Sequence, residues 1–538
     1  MMVMKNKHTL ATIGILVISM GVLLAPGCRS YYFRNQYRST GELANGIRDV
    51  QPQPYLKAHM KNGNLFVVKD AWLVDTVGNT VSASGIQYDY NRNKIREGEF
   101  VISIDSVAIF ETNKKLVKPE EGRIAALSVL ASVDIILGII CLTVPKACFG
   151  SCPTFYLHPD DNIHFADAEG FTNAIAPSME YADIDALNNG KVSGREFTIT
   201  MKNEALETHC VNGVKLMAYP RKESERVYQS PANVFYLCEN QYPLSAASAR
   251  EGDIGPLIRS ADGNLRFSGA DSHDLNSREE IFVDFNRNGA SGTPGLILTF
   301  RQSLMTTYLF YSAMGYMGDE AGEIFAMMET DATKRKNFDA TSRLLGGIEV
   351  YAWNDETRAW EYQDQVTETG PIALNHQILP LKCNPADSTV RLKLILNRGL
   401  WQIDCLSLTD IKEKVEPVVL EPTRVHNKGA DDPDALASIL APDRHLISMP
   451  GSEYQFDFRL PDENQDYELF LYSKGYYLEW MRNHWLKDKN RLRLNQMVQS
   501  PERYLRSEAR DYKRYESMMD EIFWNSKINP KTFSYHEN

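Results

Sequence analysis

The runs GGIEVYAW (346–353), AWEYQDQV (359–366), ALNHQILPL (373–381), STVRLKLILN (388–397) and LWQIDCLSL (400–408) follow one another with only short polar breaks. Each has the length and the β-branched and aromatic content of a strand. Five short strands at this spacing predict a β-sandwich or jelly roll over 346–412. The same reading extends upstream. PTFYLHPDDNIHFADAEG (153–170) reads as strand, turn, strand, and KVSGREFTITMKN (191–203) and CVNGVKLMAYP (210–220) add further β pattern. GTPGLILTFRQSLMTTYLFYSAMGYMG (292–318) passes from strand into a helix over about 302–316, with a short second helix near 319–329. Residues 147–345 are thus expected to form a β-rich domain with a helical insert.

Nearer the start, YLKAHMKNGNLFVV (55–68) reads as two strands around Asn62-Gly63, because both central residues of a type I′ turn need positive φ. FVISIDSVAIFET (100–112) continues the pattern, so 55–118 is expected to be a small β barrel or roll. Residues 413–440, rich in Pro, Lys and Asp, read as a connector. In 441–538 a short β segment precedes a helical tail, with Ser500 as N-cap and Pro501 as first helical residue. Leu505, Ala509, Tyr512, Met519 and Phe523 then fall mostly three or four apart on one face. The chain is expected to be mainly β and multidomain: a small N-terminal barrel or roll, an apolar helix, sandwich-like domains and a helical tail.

The apolar helix is IAALSVLASVDIILGIICLTV (124–144), within 119–146, and it is long enough to cross a bilayer. Asp134 sits near its middle, and an acid there costs about 2.5–3.5 kcal/mol on insertion scales. Its basic flank, Lys114, Lys115, Lys118 and Arg123, would lie on the outer side, against the positive-inside rule. A helix buried in protein or lying against the membrane fits these residues better than a span.

Residues 1–27 read as a signal peptide, with Lys5, Lys7 and His8 ahead of an apolar stretch from Leu10 to Ala25. LLAPGC (23–28) resembles the lipobox of bacterial lipoproteins, which implies diacylation of Cys28 and a membrane anchor followed by a tether over 28–54. Ala25 stands where the usual Leu would be. Arg29, not Asp, follows the cysteine, which by analogy with retention signals favours the outer membrane, facing the periplasm.

Export makes disulfides the simplest use of six further cysteines, paired as sequence neighbours Cys148/Cys152, Cys210/Cys238 and Cys383/Cys405. The alternatives at the first pair are free structural thiols or a zinc set, Cys148, Cys152, His158 and His164, in which Cys152 and His158 share a strand face. Asp183-x-Asp185-x-x-Asn188-Asn189-Gly190 fails the spacing of a calcium loop and reads as a polar turn. Asp271, Asp274, Glu279 and Glu280 read as a solvated loop. The aromatic run GYYLEWMRNHWL (475–486) reads as core at helical spacing, although such rings also stack on sugars.

No nucleophile-elbow, zincin, phosphate-loop or dinucleotide-binding motif occurs, so no catalytic residue and no cofactor are assigned. The net charge of −12 and pI near 5.5 argue against a nucleic-acid partner. The strand LWQIDCLSL resembles, over its nine residues, the closing strand of jelly-roll carbohydrate-binding modules.

Taken together, KNGNLFVV (61–68), DSVAIFETN (105–113), PKACFGSCPTFY (145–156), NEALETH (203–209) and RQSLMTTYLFYSAMGYMG (301–318) resemble an uncharacterised family of predicted lipoproteins from Gram-negative bacteria. ELFLYSKGYYLEWMR (468–482) extends the likeness more loosely. The resemblance implies the lipid anchor and no activity. The expectation is a non-enzymatic envelope lipoprotein whose β scaffold binds a protein or glycan partner. The alternative is an extracytoplasmic hydrolase acting on glycan or peptide through carboxylates that only the fold brings together.

Overall fold

The structure, a computed structural model, describes residues 31–37, 39–47, 53, 56–60, 64–88, 94–116, 152–158, 165–188, 194–288, 292–321, 324–325, 344–367, 370–385, 387–479, 485 and 488–528. Cys28, Cys148, His164 and the run 124–144 lie outside the described residues. Among the described residues no helix is long and apolar enough to cross a membrane. The protein is mainly β, with several sheets, an N-terminal half-barrel and a helical C-terminus.

The half-barrel has six antiparallel strands in the order Tyr31–Tyr37, Val107–Leu116, Leu56–Met60, Leu65–Asp75, Thr80–Tyr88, Lys94–Ser103. Leu56–Met60 and Leu65–Asp75 form the hairpin expected around Asn62-Gly63. Trp72, Val81, Phe100 and Phe110 fill the concave side, and the helix Thr40–Ile47 covers it through Leu43. The first strand and this helix come from residues read as tether, so the N-terminal β unit begins before residue 55.

The long strands Glu207–Arg221 and Asp466–Glu479 pair from Glu207↔Glu479 to Arg221↔Asp466. They join residues far apart in sequence, so the body of the protein is not divided as the linear pattern suggests. Tyr181–Ala186 pairs with the far side of Asp466–Glu479, and Val418–Leu420 and Leu446–Ser448 pair with Glu207–Arg221. A second sheet, which shares its core, runs Ala430–Asp431, Arg424–Asn427, Glu453–Arg459, Glu196–Lys202, Thr154–Tyr156, Ala168–Glu169. The stretch 413–440 is folded, not a linker. It supplies strands and the helix Pro433–Leu440, which Asp432 caps by accepting from Ala435 N at 2.9 Å.

The largest sheet has eleven strands. Part of it closes on itself: Trp401–Val415 pairs with Thr293–Gln302, then Asn375–Pro380, Glu225–Gln229 and Phe235–Ala249 follow, and the last pairs back onto Trp401–Val415. From Phe235–Ala249 a wing of four strands extends outward as Arg278–Asn286, Thr389–Asn397, Ile348–Asn354 and Ala359–Val366. The five strands quoted first are therefore real, but they share one sheet with residues 225–302. No boundary falls at 345/346.

The helix Met305–Met317 is apolar almost all round and is buried, as that pattern requires. The tail helices Arg491–Gln499 and Pro501–Tyr515 pack on it, while Met519–Ser526 meets Phe165 and Arg301 of the β body. Leu505, Ala509, Tyr512, Met519 and Phe523 all face inward as their spacing predicts. Glu508, buried on the same face, accepts from Tyr308 and Tyr316 and pairs with Arg493. Tyr476, Tyr477 and Trp485 are core as expected, but the two tyrosines lie on a strand, not on a helix.

Candidate functional site

On the wing, one face of each strand enters the core and the other meets solvent. Ile348, Val350 and Ala352 point in, and Glu349, Tyr351 and Trp353 point out. The hairpin turns at Asn354, whose side-chain oxygen accepts from Glu356 N at 2.8 Å and Thr357 N at 3.2 Å, with Arg358 at φ +53°. The register then sets Trp353 opposite Trp360 and Tyr351 opposite Tyr362. Along Thr389–Asn397, Val390, Leu392 and Leu394 are buried while Arg391 and Lys393 face out. Along Arg278–Asn286, Ile281, Val283 and Phe285 are buried while Glu280, Phe282 and Asp284 face out.

Five outward rings thus share one surface with three cations. Trp353 and Trp360 lie edge to face at 5.4 Å, Tyr351 and Tyr362 at 5.5 Å, and Phe282 reaches Trp360 at 5.8 Å. Phe282 and Trp360 sit three strand spacings apart, about 14 Å at the backbone, so their side chains lean inward and the face is concave. Lys393 Nζ lies 5.2 Å from the Tyr351 ring and 5.6 Å from that of Trp360, and Arg391 covers Trp353 at 5.3 Å. Such contacts contribute about 0.5–1 kcal/mol each at exposed sites. They hold the rings in place without hiding them: Tyr362 is 48% exposed and Phe282 40%. Hydrogen-bonding groups ring the patch. Trp353 Nε1 donates to Asp355 at 2.8 Å, and Tyr351 Oη donates to Glu349 at 2.8 Å, which pushes the Tyr351 pKa up.

A surface of this kind presents flat π faces beside fixed donors and acceptors. Such a surface is suited to recognition by stacking and hydrogen bonding. The strands were legible in the sequence, but this surface was not singled out. The signal was Tyr-x-Trp on one strand answered by Trp-x-Tyr on the next, two aromatic pairs at the outward period of a hairpin.

A second constellation is internal. Cys152 donates its thiol hydrogen to Glu169 Oε1 at 3.0 Å, and Glu169 Oε2 accepts from Ile372 N at 2.6 Å and Ala373 N at 3.2 Å. Glu169 N donates to Asp185 Oδ2 at 3.1 Å, and Tyr181 Oη donates to Asp183 Oδ2 at 3.1 Å. Gly370, at φ +93°, lets its chain approach this carboxyl, since a Cβ there would come within 2.7 Å of it. Phe171 adopts φ +35° between the acids. Burial pushes Glu169 up to about 7 and Asp183 up to about 6, and raises Asp185 well above its usual range. It also raises the Cys152 thiol well above its usual range, with the Glu169 carboxyl adding to the effect, which favours the protonated thiol.

The two described members of the zinc set diverge, Cys152 turned inward to Glu169 and His158 exposed beyond the strand Thr154–Tyr156. Among the described residues no cluster of three His, Cys, Asp or Glu is arranged to hold a metal ion. None of the five described cysteines is in a disulfide, which corrects the pairings 210/238 and 383/405. Cys210 pairs across to Tyr476 in one sheet, and Cys238 lies opposite Arg226 and Ile411 in another. Cys405 lies opposite Thr299, whereas Cys383 follows Pro380, which lies opposite Gly295. At least four residues of strand, about 13 Å, separate the second pair, beyond the reach of a disulfide of about 7 Å. Glu279, read as loop, is in fact a strand residue paired with the buried Arg266 at 2.8 Å.

No protein-family description matches this chain, and no curated protein matches it. Among solved structures, BuGH86wt in complex with neoagarooctaose aligns over 43% of this chain and 34% of its own, with 6% identity and a TM-score of 0.17. The GH31 alpha-xylosidase Xac1773 from Xanthomonas citri aligns over 79% of this chain and 37% of its own, with 8% identity and a TM-score of 0.15. The chain spans about a third of the length of each. Likeness this remote carries no weight for fold or function.

Proposed function

We propose that this protein is a non-catalytic, glycan-binding component of the bacterial cell envelope, anchored through a lipid on Cys28 and displaying the aromatic face of its wing to a carbohydrate. The observation that carries the reading is the outward array of Trp353, Trp360, Tyr351, Tyr362 and Phe282 on one concave face. The apolar C–H face of a pyranose stacks on such rings, while its equatorial hydroxyls project to the rim, where Asp355, Glu349 and Arg391 offer acceptors and donors. The rings and arginines are types that protein interfaces also favour, but Lys393, Glu280, Glu349 and Asp355 interleaved with them are types depleted there. Binding of neutral oligosaccharides to the full chain, followed by tryptophan fluorescence, tests this directly. Trp353→Ala and Trp360→Ala should each weaken binding about ten-fold, the 1.4 kcal/mol expected of a central aromatic contact. A protein partner bound by this face, with no glycan bound at all, would refute the reading.

Hydrolysis is the second reading, and it draws on Glu169 and Asp183, two acids close to neutral pKa beside one another. Against it, both oxygens of Glu169 are already occupied by Cys152 and two backbone amides. Turnover of any oligosaccharide that disappears in Glu169→Gln would establish this second reading.

A further inference from the structure

We propose that the aromatic face selects uncharged glycans and rejects uronic or sulfated ones, a deepening that rests on the glycan reading above. The argument is from charge at the rim. Three cations stand at outward strand positions of the wing, each committed to a carboxylate, while Arg358 lies in the exposed hairpin turn beside Glu356. Arg278 pairs with Glu349, Arg391 with Asp355, and Lys393 with Glu280 at 3.3 Å. Lys393 is further withdrawn, with its side chain only 15% exposed and its ammonium held between the Tyr351 and Trp360 rings.

Two more outward carboxylates, Asp284 and Asp364, form no salt bridge with any described residue. Five acids therefore surround the rings against three neutralised cations, on a protein whose net charge is −12. A sugar carboxylate or sulfate stacked on the strands would meet there only cations whose charge a carboxylate already offsets, and two further carboxylates that form no salt bridge, Asp364 and Asp284, the latter opposite Arg391. Arg391 and Arg278 retain N–H donors, but their charge is already offset by Asp355 and Glu349, so an anion gains little net attraction from them. An uncharged sugar meets none of these costs, and its hydroxyls can both donate to the spare carboxylates and accept from the committed arginines without breaking their pairs. The same negative field slows the approach of anionic chains and acts most at low ionic strength.

The test uses the full chain and a panel of neutral β-1,4-, β-1,3- and α-1,4-glucose hexamers beside uronic-acid hexamers, at 20 mM and 300 mM salt. The expected result is binding of at least one neutral hexamer, with every uronate at least ten-fold weaker at low salt and the gap narrower at high salt. Asp284→Asn with Asp364→Asn, both at outward strand positions, should narrow the gap at low salt, read as the ratio of neutral to uronate affinity within the one variant. A uronate that binds as tightly as the neutral sugars at low salt overturns the charge rule while leaving glycan binding intact. A panel with no binder, neutral or acidic, overturns the glycan reading itself.

Discussion

Replacing Glu169 by Gln should remove a pH dependence that the buried carboxyl imposes on the fold. In the folded chain Glu169 keeps its proton up to about pH 7, whereas the ordinary glutamate pKa is 4.5. Burial is the main cause, and the amides of Ile372 and Ala373 and the Cys152 thiol only partly offset it. Between these pKa values the native state binds more protons than the unfolded state, so stability falls as pH rises. The contribution is complete below pH 4.5 and is lost as pH climbs through 7. The gap of about 2.5 pKa units, at about 1.4 kcal/mol each, corresponds to about 3 kcal/mol. Glutamine preserves the shape and leaves an amide oxygen for the two backbone donors, but it never charges. Asp183 and Asp185 are also raised by burial and act with the same sign in both proteins. The informative quantity is thus the difference between the two chains. Urea unfolding of both, from pH 4.5 to 8, should show Glu169→Gln equal to or slightly below wild type at the acid end and more stable by up to about 3 kcal/mol at the alkaline end. A difference that stays constant across the range within about 1 kcal/mol would refute the reasoning, because it would mean that Glu169 is not forced to hold its proton.

Lys527 anchors the end of the tail: its ammonium lies 3.0 Å from Glu204 Oε2 and 2.7 Å from Tyr156 Oη, over the Trp524 ring. Lys527→Met leaves Glu204 buried without its cation and should cost about 3 kcal/mol in thermal or urea unfolding, whereas adding Glu204→Gln should restore much of the loss. At the seam between half-barrel and body, Tyr476 Oη and His59 Nδ1 are 3.0 Å apart, and His59 Nε2 lies 3.1 Å from Glu111. Tyr476→Phe should cost about 1 kcal/mol and expose the half-barrel to limited proteolysis earlier than the body; an unchanged cleavage order would show that this contact does not hold the two together.

Local pattern and tertiary structure divided the description of this protein between them. The strands of 346–410 were readable because their composition and length are properties of the residues themselves. The tail helix was equally plain, since Leu505, Ala509, Tyr512, Met519 and Phe523 repeat with the helical period and all are buried. The partition into sheets was not readable. Strand pairing is set by contacts between residues hundreds apart, as in Glu207–Arg221 against Asp466–Glu479, and no local pattern encodes that register. The cysteines show the same limit: sequence neighbours suggested bridges, and strand register carried them into different sheets or out of reach. The carboxyls of Glu169, Asp183 and Asp185 are ordinary acids in a polar stretch of sequence, and only the approach of 370–373 and the surrounding core buries them and raises their pKa values. The aromatic face lies between these cases. The sequence determined which side of each strand Tyr351, Trp353, Trp360 and Tyr362 would occupy, because strand period is local. Only the curl of four strands decided that Phe282 and Lys393 would join them, since a twisted sheet brings side chains together that the chain itself keeps apart.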